Sequence, residues 1–301
     1  MKVGIIGAGS IGLLFASYLN RAVEVTIYTR TAEQAVEINK HGILLYKGEI
    51  CKKSSVRALP ISQWEGDENV TIITVKQYQL EPIIDKISNL SASANNLLFL
   101  QNGMGHLKQL ESIQSENIFV GSIEHGAAKE NNFTVSHNGA GITKVAVFKG
   151  NEGKLKEFIT AMPDDFPFVF HENFYSMLLG KLVVNAVINP LTSLLSVKNG
   201  ALIENPYYFN EVQKVYSEIA SILLLEDSAW HFEQVVQVCR KTADNRSSML
   251  KDLEAGRPTE VDAILGYLIN EAKIQHKEAP LISQLFNLIK GKEQVDGSEL
   301  V

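Results

Sequence analysis

The run Lys2-Val3-Gly4-Ile5-Ile6-Gly7-Ala8-Gly9-Ser10-Ile11-Gly12 decides the fold. Lys2 to Ile6 is a short, nearly continuous apolar run, the pattern of a buried strand. Three glycines follow with G-x-G-x-x-G spacing, and a helix opens at about Ser10. That spacing is weak alone and gains its meaning from lying between a strand and a helix. Gly7 permits the tight turn, Gly9 lets the backbone approach a pyrophosphate, and Gly12 allows close packing of helix on strand. The helix N-terminus then presents N–H groups and a positive dipole end to the phosphates. Gly7, Ala8, Gly9, Ser10, Ile11 and Gly12 are therefore assigned to a dinucleotide cofactor.

Outward from this turn, strand-like and helix-like segments alternate. Ile11 to Asn20 reads as a helix, Val23 to Tyr28 as a strand, and Thr31 to Lys40 as a helix capped by Thr31. Val70 to Val75 is a further strand, with a helix through Ile87 after it, and Asn96 to Leu100 and Ile118 to Ile123 are strands again. This rhythm predicts a mostly parallel sheet covered on both faces. Phe133 to Ser136 and Ile142 to Phe148 flank a glycine-rich turn and are expected to pair as an antiparallel hairpin at the sheet edge. Beyond Pro163-Asp164-Asp165-Phe166-Pro167 strands nearly vanish. Phe174 to Val197, Asn205 to Leu225, Ala229 to Thr242, Thr259 to Lys273 and Pro280 to Lys290 read as helices. The expected fold is α/β, a Rossmann-type doubly wound sheet over residues 1–166 followed by an all-helical domain over 167–301.

The chain has 301 residues, enough for two ordinary domains, and 45% hydrophobic residues, enough for a sizeable core. The net charge of −6 and the scattered Lys and Arg argue against a nucleic-acid-binding face. Cys51 and Cys239 are far apart, so neither a disulfide framework nor a zinc site is expected, and the histidines lack metal-ligand spacing. The short, glycine-interrupted N-terminal run does not resemble a signal peptide. No apolar run is read as approaching the ~20 residues a membrane span needs. A cytoplasmic protein, without metal or membrane partner, is expected.

Cofactor choice is read at the end of the second strand. NAD enzymes place an acid there for the ribose 2′-hydroxyl. This chain has Tyr28-Thr29-Arg30-Thr31 instead. Arg30 can pair with a 2′-phosphate through its planar fork, and Lys76 adds a second positive charge at the same edge. NADPH is the expected cofactor.

The second informative stretch is Lys181-Leu182-Val183-Val184-Asn185-Ala186-Val187-Ile188-Asn189-Pro190. Lys181, Asn185 and Asn189 stand at i, i+4 and i+8, one stripe of a helix. The residues between are apolar, so a lysine and two amides here are costly unless a polar cleft satisfies them. Pro190 is expected to kink or end the helix just after Asn189.

Taken with these stretches, the chain resembles the ketopantoate reductase family over essentially its whole length. The resemblance is carried by the glycine turn, Leu100-Gln101-Asn102-Gly103-Met104-Gly105 and Gly121 to Ala127 with Glu124-His125-Gly126. It continues in His137-Asn138-Gly139-Ala140-Gly141 and is strongest in Lys181 to Asn189 with Pro190-Leu191-Thr192. Ser247-Ser248-Met249-Leu250 and Glu260-Val261-Asp262 complete it.

The resemblance implies NADPH-dependent reduction of 2-dehydropantoate to (R)-pantoate, on the route to pantothenate and coenzyme A. It implies Lys181 as general acid, stabilising and then protonating the alkoxide that forms as hydride reaches the C2 carbonyl. Asn185, Asn189, Asn199 and Ser248 match positions that hold the substrate's carboxylate and hydroxyl. Asn102 matches a position near the nicotinamide and its ribose, and Ala127 a backbone contact to the cofactor. Glu260 matches a carboxylate near the lysine and cofactor. Thr259 and Asp262 are expected to form a capping box that places Glu260 in a helix's first turn.

Two departures stand beside the resemblance. Leu179-Gly180 occupies a place where family members often carry a Trp, and Val145-Ala146 a place where a Gly is common. They leave open a paralogous reductase of another 2-oxo acid or an imine. A non-catalytic NADPH-binding regulator would keep the glycine turn and lose the Lys181 stripe. The expected partner is a small 2-oxo acid, and the assembly a monomer or homodimer.

Overall fold

A computed structural model describes residues 1–90 and 95–295 of the chain. It divides into two compact units, one of Met1–Gln101 with Leu107–Met177, the other of Asn102–His106 with Leu178–Val301. The division differs from the expected boundary at 166/167, and positions 296–301 lie outside the described residues. The Pro163 to Pro167 segment is no linker, because Phe166 and Phe168 both meet the edge of Phe15, with ring centroids 5.1 and 5.7 Å away.

The first unit contains strands β1 (Lys2–Ile6), β2 (Glu24–Thr29), β3 (Ile43–Lys47), β4 (Ile50–Ser54), β5 (Arg57–Pro60) and β6 (Val70–Ile73). It continues with β7 (Asn96–Phe99), β8 (Asn117–Ile123), β9 (Gly126–Lys129), β10 (Thr134–Gly139), β11 (Thr143–Lys149) and β12 (Phe168–Phe170). Its helices are α1 (Ser10–Leu19), α2 (Ala32–His41), α3 (Glu81–Ser88), α4 (Leu107–Leu110) and α5 (Glu152–Thr160). Eight strands form one sheet in the order β12-β11-β8-β7-β6-β1-β2-β5. β1 pairs in parallel with β2 on one side and β6 on the other. The chain therefore builds outward in opposite directions from β1, and the crevice outside the strand ends there is where such sheets bind ligands.

A second sheet, β4-β3-β10-β9, was not legible from local pattern. Its central pairing joins β3 in parallel to β10, some 90 residues later in the chain. This sheet corrects the expected hairpin. β10 pairs with β3 and β9, whereas β11 pairs with β8 and β12, so the glycine-rich connection passes between two sheets. Gly141 makes the crossing possible, since a Cβ there would lie 2.5 Å from the Glu124 carbonyl oxygen. α1 touches β1 and β2 of the large sheet and β3, β9 and β10 of the small one. Covered on two sides, it is apolar nearly all round, and Gly12 to Leu19 are all buried. Its two buried hydroxyls are satisfied: Ser17 Oγ lies 3.0 Å from Ser54 Oγ, and Tyr18 Oη 2.8 Å from His137 Nδ1.

The second unit is helical, with α6 (Phe174–Leu195) entering it, then α7 (Ala201–Glu204), α8 (Pro206–Leu223) and α9 (Ser228–Lys241). α10 (Ser248–Glu254), α11 (Tyr267–Ile274) and α12 (Pro280–Val295) complete it. A π-helical turn, Asp262–Gly266, leads into α11. α6 corrects two expectations. It runs through Pro190 to Leu195, because Ala186 to Ser193 are all buried and their packing outweighs the ~3 kcal/mol a mid-helix proline costs. It is also long and apolar enough to cross a membrane by length and composition, with 61% of its most apolar window buried inside the protein as in a core helix.

Candidate active site

The glycine turn closes the C-terminal end of β1. Gly7 donates its N–H to the Tyr28 carbonyl at 2.9 Å, which ties the turn to the end of β2. Its φ of +107° is one that only glycine adopts readily. Gly12 packs so closely that a Cβ there would lie 1.7 Å from the Gly7 carbonyl oxygen. Around Gly9 the situation is reversed. It sits at the N-cap of α1 in extended backbone (φ −81°), and a Cβ there would meet nothing within 4 Å. The first turn of α1 carries no acidic residue and Gly9 offers no side-chain cap, so no side chain caps the leading N–H groups. A pyrophosphate fits this cradle, with Ala8, Ser10 and Ile11 completing its backbone.

Two side chains that the sequence reading passed over hold the turn in place. Thr74, just past β6, sets its Oγ1 2.9 Å from the Gly7 carbonyl and 3.1 Å from that of Ile6. Gln34 on α2 donates from Nε2 to the Ala8 carbonyl at 2.9 Å and to the Asn132 carbonyl at 2.9 Å. Arg30 follows β2 and is exposed, next to Thr31, which caps α2 by accepting from Gln34 N. Lys76 follows β6 and is half-buried. In the sheet order β6-β1-β2 these two cations flank the glycine turn at the same edge. Ala127 is half-buried on β9, opposite His137.

In the second unit, Lys181, Asn185 and Asn189 all lie on α6 at successive helical repeats. Lys181 and Asn185 are half-buried and Asn189 is 6% exposed. One turn on, the Thr192 and Ser247 hydroxyls lie 2.8 Å apart. Ser247 in turn accepts from Leu250 N and caps α10, which sets Ser248, exposed, at the first position of that helix. Asn199 is buried. Its backbone N–H donates to the Asn245 carbonyl at 3.0 Å and its Nδ2 to Thr242 Oγ1 at 2.8 Å, while Oδ1 has no partner among the described residues. A buried acceptor left in that state fits a ligand hydroxyl or amide.

Asn102 and Glu260 meet directly, Nδ2 to Oε2 at 2.8 Å, with Glu260 only 7% exposed. Gly103 brings this about. Its φ is +75°, a Cβ there would lie 2.2 Å from the Ala263 carbonyl oxygen, and the next residue, Met104, donates its N–H to that same oxygen at 3.3 Å. The expected capping box is absent. Thr259 Oγ1 instead receives the Val261 N–H and donates to Glu293 at 2.6 Å, and Asp262 pairs with Lys290. Glu260 therefore precedes the helix, and the widened π turn that starts at Asp262 follows it. Such turns recur at functional sites.

Family models for ketopantoate reductase PanE/ApbA match residues 3–150, and those for its C-terminal domain match 173–293. The chain belongs to the ketopantoate reductase family. Among its relatives, the 2-dehydropantoate 2-reductase of Bacillus subtilis is 42% identical over 98% of both chains. That of Listeria innocua is 37% identical over 97% of both. The Bacillus subtilis crystal structure superposes with a TM-score of 0.89 at 41% identity, covering 97% of this chain and all of the other. A D-mandelate dehydrogenase solved with NADH and anilino(oxo)acetate, 24% identical, has a TM-score of 0.91 over 99% of this chain and 100% of its own, a likeness of fold. This ketopantoate reductase family member thus shares its architecture along the full chain with both.

Proposed function

We propose that the protein reduces 2-dehydropantoate to (R)-pantoate with NADPH, with Lys181 as general acid. The observation that carries this reading is the Lys181, Asn185, Asn189 stripe on a core helix, in a chain 42% identical to a 2-dehydropantoate 2-reductase. When bound, NADPH would supply the hydride for the substrate's C2 carbonyl carbon. The carbonyl π pair moves to oxygen, Lys181 stabilises the resulting alkoxide, and its Nζ then gives up a proton to complete the hydroxyl. Asn185, Asn189, Asn199 and Ser248 orient the carboxylate and hydroxyl with neutral donors and acceptors.

The cofactor's pyrophosphate is assigned to Gly7 through Gly12, where the open space at Gly9 and the uncapped α1 N-terminus support the fit. Arg30 and Lys76 take the 2′-phosphate. Asn102, Ala127 and Glu260 serve the nicotinamide end, with Glu260 held by Asn102. Assembly is as a monomer or homodimer, which light scattering resolves.

The test is NADPH oxidation with 2-dehydropantoate, repeated with Lys181→Ala. The substitution lowers kcat by about 10²- to 10⁴-fold and leaves NADPH affinity unchanged. Near-normal turnover in that variant overturns the role of Lys181. A second reading, a reductase of another 2-oxo acid or an imine, is favoured only by the departures at Leu179-Gly180 and Val145-Ala146. Faster turnover on another member of a 2-oxo acid panel would select it.

A further inference from the structure

β9 is an edge strand of the small sheet, and Lys129 lies directly opposite Val135 on β10. Residues paired this way send their side chains to the same face. Val135 is fully buried, so that face is the inner one, with α1 packed against the small sheet, and Lys129 at its edge is exposed. Ala127 and His137 share the face, and His137 reaches Tyr18 near the C-terminal end of α1. Three residues beyond Lys129, Asn132 is tied through Gln34 to Ala8, before the N-terminal end of α1. The chain from Ala127 through Lys129 to Asn132 therefore runs back along α1 toward the glycine turn.

The charges of Lys129 and Arg30 interact. The ammonium is held below the usual lysine range by burial first and by the Arg30 guanidinium second, with Glu37 opposing. Neither Lys129 nor Arg30 makes an ion pair among the described residues, and Glu37 is engaged by Asn132 Nδ2 at 2.7 Å. Two exposed cations whose mutual repulsion Glu37 only partly offsets are relieved by a dianion.

We propose that Lys129 is a specificity-determining residue for the cofactor, contributing with Arg30 to the binding of the ribose 2′-phosphate. Arg30 stands at the end of β2 and Lys129 at the end of β9, and both are exposed. The assignment rests on the reading that the cofactor is NADPH.

The test is calorimetric titration of the full chain with adenosine 2′,5′-bisphosphate and with 5′-AMP, which differ only in the 2′-phosphate. Wild type, Arg30→Ala, Lys129→Met and Lys129→Arg are compared, with circular dichroism to confirm folding. Lys129→Met keeps the stem and loses the charge. It weakens the bisphosphate by about tenfold and 5′-AMP by less than about twofold, and Lys129→Arg restores most of the loss. Equal weakening of both ligands, or of neither, overturns the proposal. If wild type itself does not prefer the bisphosphate, the NADPH reading falls and this assignment with it. If wild type prefers it and Arg30→Ala abolishes the preference while Lys129→Met does not change it, only the role of Lys129 is wrong.

Discussion

Asn102 and Glu260 are 158 residues apart in the chain and 2.8 Å apart in the fold, amide nitrogen to carboxylate oxygen. The contact gives a buried carboxylate a neutral amide donor. Removing the acceptor leaves a half-buried amide short of a partner, which costs about 1–3 kcal/mol. Glu260→Ala is therefore expected to lower stability by that amount in urea unfolding. Glu260→Gln keeps an acceptor oxygen and should lose less than half as much. Equal losses in the two variants would mean that the Asn102 contact does not hold the loop.

Gly9 and Gly12 are predicted to fail in opposite ways when changed to alanine. At Gly12 the new methyl meets the Gly7 carbonyl at 1.7 Å, so the turn must move, at a cost of at least about 1–3 kcal/mol. At Gly9 there is space and ordinary backbone, so Gly9→Ala should melt within a degree or two of wild type. Its methyl nevertheless occupies the space assigned to the pyrophosphate, and nucleotide affinity should fall by about tenfold or more. Unchanged nucleotide binding in Gly9→Ala would remove the turn from the cofactor site.

Acid sensitivity should originate in buried histidines. His106 is pushed down to about 4 by burial alone, and both of its ring nitrogens lack hydrogen-bond partners among the described residues. His125 is also pushed down to about 4, by burial and then by the neighbouring His137. In the unfolded chain each ring binds a proton once the pH drops below about 6.5. In the fold each stays neutral until about 4. Their contribution to stability is complete above pH 6.5 and is lost as the pH falls through that window. At pH 5 it amounts to on the order of 2 kcal/mol for each ring. His106→Leu, which abandons no hydrogen bond, should lose measurably less stability than wild type between pH 7 and pH 5 in urea titrations. Parallel losses would refute the assignment.

Ser247 caps α10 and stands 2.8 Å from the Thr192 hydroxyl of α6. Ser247→Ala removes both contacts and is expected to destabilise the protein by about 1–3 kcal/mol. It also loosens Ser248, so KM for the 2-oxo acid should rise while nucleotide affinity holds. A rise in KM for NADPH instead would place Ser248 at the cofactor.

Local pattern was enough for features whose cause is local. The strand, glycine turn and helix of residues 2–19 follow from an apolar run, three glycines and a helical repeat, and the structure places them within a residue or two of the expected bounds. The stripe of Lys181, Asn185 and Asn189 is visible for the same reason, since i+4 spacing alone puts them on one face. The misreadings all involve competition from distant residues. Thr259 has the sequence of a capping residue, but Glu293 takes its hydroxyl. Pro190 has the sequence of a helix stop, but a buried helix continues through it. Phe133 to Ser136 and Ile142 to Phe148 have the pattern of a hairpin, but the two strands find better partners in different sheets.

The sequence by itself determined the family, the alternating architecture, and the residue types for a phosphate cradle and a proton donor, because these depend on spacing along a few turns of chain. Only the tertiary structure decided that Asn102 is the partner of Glu260, that Gln34 and Thr74 hold the glycine turn, and that Lys129 returns along α1 toward it. Those pairings join segments separated by tens to well over a hundred residues. Burial, backbone hydrogen-bond satisfaction and the absence of a Cβ at positions such as Gly103 select them, and no local pattern encodes which distant group will arrive.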